Sequence, residues 1–175
     1  MADTVEFIYV LDTNALIDLH RRLYPRSTFP GLWEDIEGLC DAGLALIPEE
    51  VRAELENIDD DLLAWVRSRP DIVAHLDSPQ IQWVRRVLAE FPGLVRTKRT
   101  NPQADAFVVA LGLARLDEEN ARLPDLRRAV AVVTQEKRDL DLNLKRKIPN
   151  ACAYFGLPCM NLLDFFASEG WRYVR

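Results

Sequence analysis

The alternation of apolar and polar segments predicts that strands and helices alternate along the chain. Apolar runs rich in strand-forming residues occur at Phe7–Leu11 and Ala129–Val133, and shorter strands are expected at residues 44–47 and 158–161. Elsewhere apolar residues recur at helical spacing, and the predicted helices cover residues 15–19, 32–42, 49–56, 59–69, 78–91, 103–119, 148–154 and 162–169. We expect Thr13 or Asn14 to cap the first helix.

This order of elements is typical of an α/β fold. Strands that alternate with helices form three-layer α/β/α sandwiches, in which helices cover both faces of a central, mainly parallel sheet. A length of 175 residues fits one domain, residues 1–175. Two consecutive predicted helices indicate a helical insertion at about residues 59–91. The predicted buried stripe of its second helix consists of Ile81, Val84, Leu88 and Phe91.

Acidic side chains follow three of the predicted strands where each strand ends. Asp12 comes directly after the first strand, and Glu136 follows the strand that ends at residue 133. Glu50 and Glu54 both lie in the helix after the second strand, one helical turn apart, and either can be the acid of that helix. Asp105 lies in the first turn of a strongly apolar helix. Since ligands of parallel sheets bind beyond the carboxyl ends of the strands, we expect four of these acids to share one crevice.

Carboxylates that converge without matching cations repel one another, and a bound divalent metal ion removes that repulsion. Three Cys and two His residues offer no spacing typical of a zinc site, so any metal rests on oxygen ligands. Oxygen ligands suit Mg²⁺ or Mn²⁺. Such ions promote hydrolysis of phosphodiester bonds by activating water and stabilising charge on oxygen. The acids therefore predict a hydrolytic nuclease.

Four short blocks resemble the PIN-domain family of ribonucleases. They are VLDTN at residues 10–14, VRAEL at 51–55, ADAFVVALG at 104–112 and VVTQE at 132–136. The tail IPNACAYFGLPCMNLLDFF, residues 148–166, resembles a bacterial PIN-like family related to VapC-type toxins. Each block alone is a weak signal, but their order and spacing together cover most of the chain. The resemblance implies a metal-dependent endoribonuclease, and we expect the toxin of a toxin–antitoxin pair, with RNA as substrate and an antitoxin protein as partner.

The resemblance also implies roles for individual residues. Asp12, Glu54, Asp105 and Glu136 would be the catalytic acids and the ligands of Mg²⁺ or Mn²⁺. Hydrogen bonds to these ligands would come from Thr13, Asn14 and Thr134. PIN enzymes usually carry a Thr-x-Asp motif after the later strand, whereas this chain has Thr-x-Glu. The fourth acid is therefore one methylene longer, and its surface and metal-binding interpretations are evenly balanced.

The net charge of −6 argues against a nucleic-acid-binding surface, because phosphate contacts favour basic proteins. Metal ions in the crevice and local basic clusters weaken that objection. The clusters are Arg21, Arg22 and Arg26; Arg96, Lys98 and Arg99; and Lys145, Arg146 and Lys147. The sequence contains no apolar segment long enough to cross a membrane and no signal-peptide pattern, so we expect a cytoplasmic protein. The oligomeric state stays open, with a homodimer as one alternative.

Two other functions fit some of the same residues. A PIN-like module that has lost catalysis would bind a protein partner and cleave nothing. A phosphatase of the haloacid-dehalogenase class would use Asp12 as a nucleophile, but that class usually has a second Asp two residues later, where this chain has Asn14. We therefore place the phosphatase behind both the nuclease and the binding module.

Overall fold

Five parallel strands form the central sheet in a computed structural model that describes residues 6–58, 60–95, 103–141 and 145–173. The order across the sheet is β3-β2-β1-β4-β5. In chain order the strands are β1 Phe7–Leu11, β2 Ala45–Pro48, β3 Val73–Ala74, β4 Ala129–Val133 and β5 Cys159–Met160. The prediction of an α/β fold with a central parallel sheet is confirmed.

Eight α-helices surround this sheet within the described residues. They are α1 Thr13–Ile17, α2 Pro30–Asp41, α3 Glu49–Leu55, α4 Asp60–Arg67, α5 Ser78–Glu90, α6 Asp105–Asn120, α7 Ile148–Phe155 and α8 Leu162–Ser168. A π-helix at Asp18–Leu23 continues α1. The arrangement is consistent with a three-layer α/β/α sandwich. No helix in the described parts of the chain is both long and apolar enough to cross a membrane.

The two central strands are buried along nearly their whole length, as their apolar sequences predict. The pairing of β1 with β4 runs from Phe7 opposite Ala129 to Leu11 opposite Val133. Both strands therefore end at the same level, and the residues that follow them, Asp12 and Thr134, emerge side by side. This register determines where the polar side chains of the site lie.

Helix α6 packs directly on this central pair. Gly112 allows the close approach, because a Cβ atom there would lie 2.8 Å from Leu157 Cδ2 and 3.2 Å from Val132 Cγ2. Residues on most of the circumference of α6 are buried, as its apolar composition predicts. The amino end of α6, which carries Asp105, is thereby held against the sheet.

The prediction of the first helix cap was wrong. Asp12, rather than Thr13 or Asn14, occupies the N-cap position, and its carboxylate accepts a hydrogen bond from the Thr13 amide. Asp12 has extended backbone angles because it continues β1, and the helix begins one residue later. An acid at this position can cap the helix and also contribute a carboxylate to the crevice.

The helical insertion at residues 59–91 is more closely integrated than the sequence indicates. The short strand β3 lies between its two helices and pairs in parallel with β2, so the segment adds an edge strand to the sheet. The predicted stripe on α5 is also wrong in part. Ile81 is 36% exposed, whereas Val87, absent from the stripe, is fully buried. The other difference, strand β3, has only two residues and is too short to leave a pattern in the sequence.

Candidate metal centre

A polar pocket of about 260 Å³ opens at the carboxyl ends of β1 and β4. The chain proceeds from β1 outward through β2 to β3, and then returns to place β4 on the other side of β1. Such a reversal of strand order opens a crevice in which α/β proteins bind ligands. This acidic pocket, as we call it, is lined by Asp12, Thr13, Asn14, Ile17, Glu54, Ile58, Leu94, Gln103, Asp105 and Glu136.

Asp12 is the most deeply placed of the acids and is only 3% exposed. Its Oδ1 accepts a hydrogen bond from the Thr13 amide, and its Oδ2 accepts one from Thr134 Oγ1, each with a donor–acceptor distance of 2.8 Å. Burial raises the pKa of Asp12 well above its usual range, and the nearby charge of Asp105 raises it further. The Thr134 hydrogen bond opposes this shift. The pocket thus disfavours a bare negative charge on Asp12 and favours its neutralisation by a proton or a cation.

A network of hydrogen bonds positions the segment after β4 against the start of α1. The Asn14 amide oxygen accepts a hydrogen bond from the Gln135 backbone over 2.8 Å and lies 3.2 Å from Thr134 Oγ1. Thr134 Oγ1 in turn accepts one from the Glu136 amide over 3.1 Å. Asn14 and Thr134, predicted to support the ligands, are therefore linked to each other and to the loop that carries Glu136.

Glu54 connects helix α3 to the beginning of α6. Its Oε2 accepts a hydrogen bond from the Thr13 hydroxyl, and its Oε1 accepts one from the Ala104 amide over 3.0 Å. Ala104 is the N-cap residue of α6 and directly precedes Asp105. The carboxylate of Glu54 therefore positions the helix end on which Asp105 lies, and both of its oxygens face the pocket region rather than bulk solvent.

Asp105 begins helix α6 and lies across the pocket from Asp12. A carboxylate in the first turn of a helix is stabilised by the helix dipole. Its charge is the largest single electrostatic influence on the raised pKa of Asp12. The two aspartates therefore line one pocket and are close enough for their charges to interact.

Glu136 lines the acidic pocket, but its two oxygens already have partners in the protein. Oε1 accepts a hydrogen bond from Lys147 Nζ over 2.9 Å, and Oε2 accepts one from the Ile148 amide over 3.0 Å. Ile148 is the first residue of α7, so Glu136 satisfies an amide that the helix leaves unpaired. In this arrangement Glu136 forms a wall of the pocket and anchors α7.

Glu50, the alternative to Glu54, does not line the acidic pocket. Its Oε2 is buried and has no hydrogen-bond partner within the described residues. Burial raises the pKa of this carboxyl group, and a hydrogen bond with the Glu50 backbone opposes the shift. Glu54 therefore lines the pocket, whereas Glu50, one helical turn earlier, lies outside it.

The donors of the acidic pocket suit a hard divalent cation, since carboxylate, hydroxyl and amide oxygens are the groups that Mg²⁺ and Mn²⁺ prefer. With the side chains as placed, no three acidic, His or Cys residues of the described segments form a ready-made metal cluster. Glu54 and Glu136 are turned toward protein donors, as described above. Both oxygens of Asp12 also accept hydrogen bonds, yet its pKa is raised by burial and by the charge of Asp105, so a cation bound between these two aspartates would relieve their repulsion.

Several pocket residues were not predicted from the sequence. Gln103 contributes an amide side chain beside Asp105, and Ile17, Ile58 and Leu94 form apolar parts of the wall. None belongs to a motif, and no pattern in the sequence distinguishes these apolar residues from ordinary core positions. Their place in the pocket depends on how the helices pack.

The three basic clusters differ in their surroundings. Arg96, Lys98 and Arg99 lie outside the described residues. In the first cluster, Arg22 pairs with Asp18 and Arg26 pairs with Glu37, each over 3.0 Å. Lys147 of the third cluster contacts the pocket through Glu136. Lys147 therefore brings the third cluster to the edge of the acidic pocket.

Comparison with known proteins gives one family match. A family model described as a domain of unknown function, DUF4411, matches residues 9–173. The match spans all five strands except the first two residues of β1 and includes every residue that lines the acidic pocket. No curated protein matches the chain.

Proposed function

The chain belongs to the DUF4411 family, and we propose that it is a metal-dependent endoribonuclease that hydrolyses phosphodiester bonds of RNA in the acidic pocket. The observation that carries this proposal is the setting of Asp12. A carboxylate buried beside three other acids at the reversal point of a parallel sheet is destabilised unless a cation binds there.

Mg²⁺ or Mn²⁺ would be held by Asp12 and Asp105, with Glu54 as a further oxygen donor. When bound, such an ion supplies an activated water molecule and stabilises negative charge on the phosphate oxygens. Thr134 and the Thr13 amide hold the Asp12 carboxylate in one orientation. Glu54 positions the amino end of α6 and with it Asp105. Glu136 would join the ligands after releasing Lys147.

The proposal includes a biological setting that follows from the resemblance to PIN-domain toxins. We propose that the protein is the toxin of a toxin–antitoxin pair, acts in the cytoplasm and is neutralised by an antitoxin protein. An antitoxin that covers the acidic pocket or the nearby Lys147 would block access of RNA. A homodimer is compatible with this setting.

A second candidate function is a PIN-like protein-binding module without catalysis. The observation that favours it is the engagement of Glu54 and Glu136, each of which has both oxygens hydrogen-bonded to protein groups. A module of this kind would retain the pocket as a structural feature. A haloacid-dehalogenase-like phosphatase has less support, since Asn14 binds the backbone of Gln135 at the position where that class carries its second acid.

Cleavage of a mixed RNA pool separates these functions. Purified full-length protein is incubated with RNA and Mn²⁺ or Mg²⁺, with an EDTA control and with the variants Asp12→Asn and Glu50→Gln. We expect metal-dependent fragments from the wild type and from Glu50→Gln, and none from Asp12→Asn. Glu50→Gln is a matched control, since it neutralises a partly buried acid outside the acidic pocket.

Intact RNA in every metal condition would reject the nuclease and favour the binding module. Hydrolysis of a small phosphate ester by the wild type, with RNA left intact, would instead favour the phosphatase. Equal loss of cleavage in both variants would show that the effect of Asp12→Asn is not specific to the pocket. Circular dichroism of each variant verifies that the fold is retained.

A further inference from the structure

A second pocket, of about 190 Å³, combines aromatic with cationic side chains. We call it the aromatic pocket, and it is lined by Phe91, Arg138, Lys145, Asn150, Ala153 and Tyr154. It is smaller than the range of about 300–1,000 Å³ typical of pockets for drug-sized ligands. Its size suits one planar ring system rather than a whole cofactor.

Tyr154 supplies an accessible aromatic ring in a fixed orientation. The side chain is 59% exposed, yet its ring packs edge-on against two neighbours. The ring centroids of Tyr154 and Phe91 are 5.4 Å apart, and those of Tyr154 and Phe155 are 4.9 Å apart. Because the ring is already held in place, stacking a second ring on it costs little conformational entropy.

Arg138 supplies a cation that no acid of the described segments pairs with. It is exposed and forms no ion pair with any described residue, unlike Lys147, which pairs with Glu136. The buried Asn150 side chain holds the neighbouring backbone, since it accepts a hydrogen bond from Asp139 N over 2.7 Å and donates one to Asp139 O over 3.0 Å. Asn150 thereby positions Arg138 at the rim of the aromatic pocket.

The aromatic and acidic pockets are adjacent along the segment after β4. Glu136 lines the acidic pocket and Arg138, two residues later, lines the aromatic pocket. Two residues span at most about 7 Å. A wider surface depression of about 610 Å³ also includes both Glu136 and Arg138 in its lining. Adjacent nucleotides of one strand can therefore reach both pockets.

We infer, on the basis of the proposed ribonuclease activity, that the aromatic pocket binds one nucleobase of single-stranded RNA adjacent to the phosphate that is cleaved. The base stacks on Tyr154 and against Arg138, and the guanidinium or Lys145 contacts a flanking phosphate. Stacking on aromatic rings and contact with cations are the general means of binding single strands. A base inside a duplex is covered by its neighbours and cannot enter, so the pocket selects unpaired RNA.

Binding of a fluorescein-labelled single-stranded RNA, followed by fluorescence anisotropy in Mg²⁺, tests this inference. All proteins carry Asp12→Asn, so that the strand stays intact. We expect Tyr154→Ala and Arg138→Ala each to weaken binding about tenfold. Tyr154→Phe should bind RNA as tightly as the parent, which is the protein that carries Asp12→Asn alone, because phenylalanine keeps the aromatic ring. Arg127→Ala is the matched charge control, since Arg127 lies before the amino end of β4, away from both pockets, and should leave binding unchanged.

Abasic substitution identifies the base that enters the aromatic pocket. Each nucleotide of the RNA is replaced in turn by an abasic one, and the loss of affinity is measured for the parent and for Tyr154→Ala. We expect one position to lose affinity in the parent and to lose none in Tyr154→Ala, since two groups in contact are not additive. That position should adjoin the bond that the wild type cleaves.

The results that would overturn this inference differ from those that would reject the proposed ribonuclease activity. If the wild type cleaves RNA but Tyr154→Ala binds as tightly as the parent, or the abasic losses are the same in both proteins, the inference is overturned and the nuclease stands. Equal affinity for duplex and single-stranded RNA would overturn it as well. If the parent protein binds no RNA and the wild type cleaves none, both are rejected.

Discussion

Thr134 Oγ1 donates a hydrogen bond to Asp12 Oδ2 over 2.8 Å and joins residues that are 122 positions apart in the chain. The contact exists because β1 and β4 are neighbours that end at the same level of the sheet. It is also the hydrogen bond that most directly counteracts the effect of burial on the Asp12 carboxyl group. The orientation of the Asp12 carboxylate and the stability of its charged form therefore depend in part on this hydrogen bond.

Replacing Thr134 by Val should weaken metal binding and cleavage without unfolding the protein. Valine has nearly the same shape but leaves Asp12 Oδ2 without its donor. Loss of a partner that orients a metal ligand typically costs about 10- to 100-fold in affinity or activity. Mn²⁺ binding by calorimetry and the RNA cleavage rate measure the effect, and Thr134→Ser should restore most of both. Wild-type values for Thr134→Val would show that the hydrogen bond does not support the pocket.

The metal-free protein should lose stability as pH rises, and Asp12 should account for part of the loss. The pKa of Asp12 is raised in the folded state, so above the pKa of the unfolded chain the folded state holds a proton that the unfolded state has released. Its contribution is therefore present at low pH and is lost as pH rises through the folded pKa. Thermal melts in EDTA from pH 4 upward should show a steeper decline for the wild type than for Asp12→Asn. Parallel curves would contradict the raised pKa.

Mn²⁺ or Mg²⁺ should stabilise the wild type and not Asp12→Asn. A ligand that binds only the folded state at 100 times its dissociation constant adds about 2.7 kcal/mol of stability. For a chain of this size, that corresponds to a rise in Tm of roughly 5–10 °C. Differential scanning fluorimetry with added MnCl₂ measures the shift, and Glu50→Gln should respond as the wild type does. An equal rise in the Tm of Asp12→Asn would show that the metal binds at a site other than the acidic pocket.

Glu136→Gln should affect stability more than catalysis. The carboxylate accepts hydrogen bonds from Lys147 Nζ and from the first amide of α7, so its neutralisation should cost about 1 kcal/mol. We expect the cleavage rate to fall by about 10- to 100-fold at most, unlike the complete loss expected for Asp12→Asn. Chemical denaturation and cleavage assays measure the two effects. Complete loss of cleavage at wild-type stability would show that Glu136 acts as an essential metal ligand.

Substitution of two glycines by Val should have different effects on stability. At Gly112 the new side chain would overlap Leu157 and press on Val132, and overpacking of this kind typically costs about 1–3 kcal/mol. At Gly38, in the exposed middle of α2, no atom lies within 4 Å of an added Cβ. Gly38→Val should therefore change stability by less than about 0.5 kcal/mol. Urea denaturation measures both, and similar losses would contradict the close packing of α6.

Much of the fold was predictable because its central elements are strongly patterned. Continuous apolar runs predict strands β1 and β4, and apolar residues at helical spacing predict helices α3 and α6. Strand β3 was missed because two residues carry no periodicity, and its strand conformation depends on pairing with β2. The π-helix after α1 likewise lacks a recognisable signal in the sequence.

Sequence by itself determined the class of the fold and the acids that gather in the pocket. Buried parallel strands must continue into helices, and polar residues placed directly after such strands emerge at one edge of the sheet. For that reason the sequence predicts that Asp12, Asp105, Glu136 and either Glu50 or Glu54 lie at one pocket, and the pocket is lined by the first three and Glu54.

Tertiary structure alone decided which partner each carboxylate has. Glu50 and Glu54 are equivalent in a helical pattern, and only the packing of α3 against the start of α6 places Glu54 at the pocket. The pairing of Glu136 with Lys147 and the Ile148 amide depends equally on where α7 begins. Hydrogen bonds between distant segments require distances of about 3 Å, and local sequence preferences do not specify such distances.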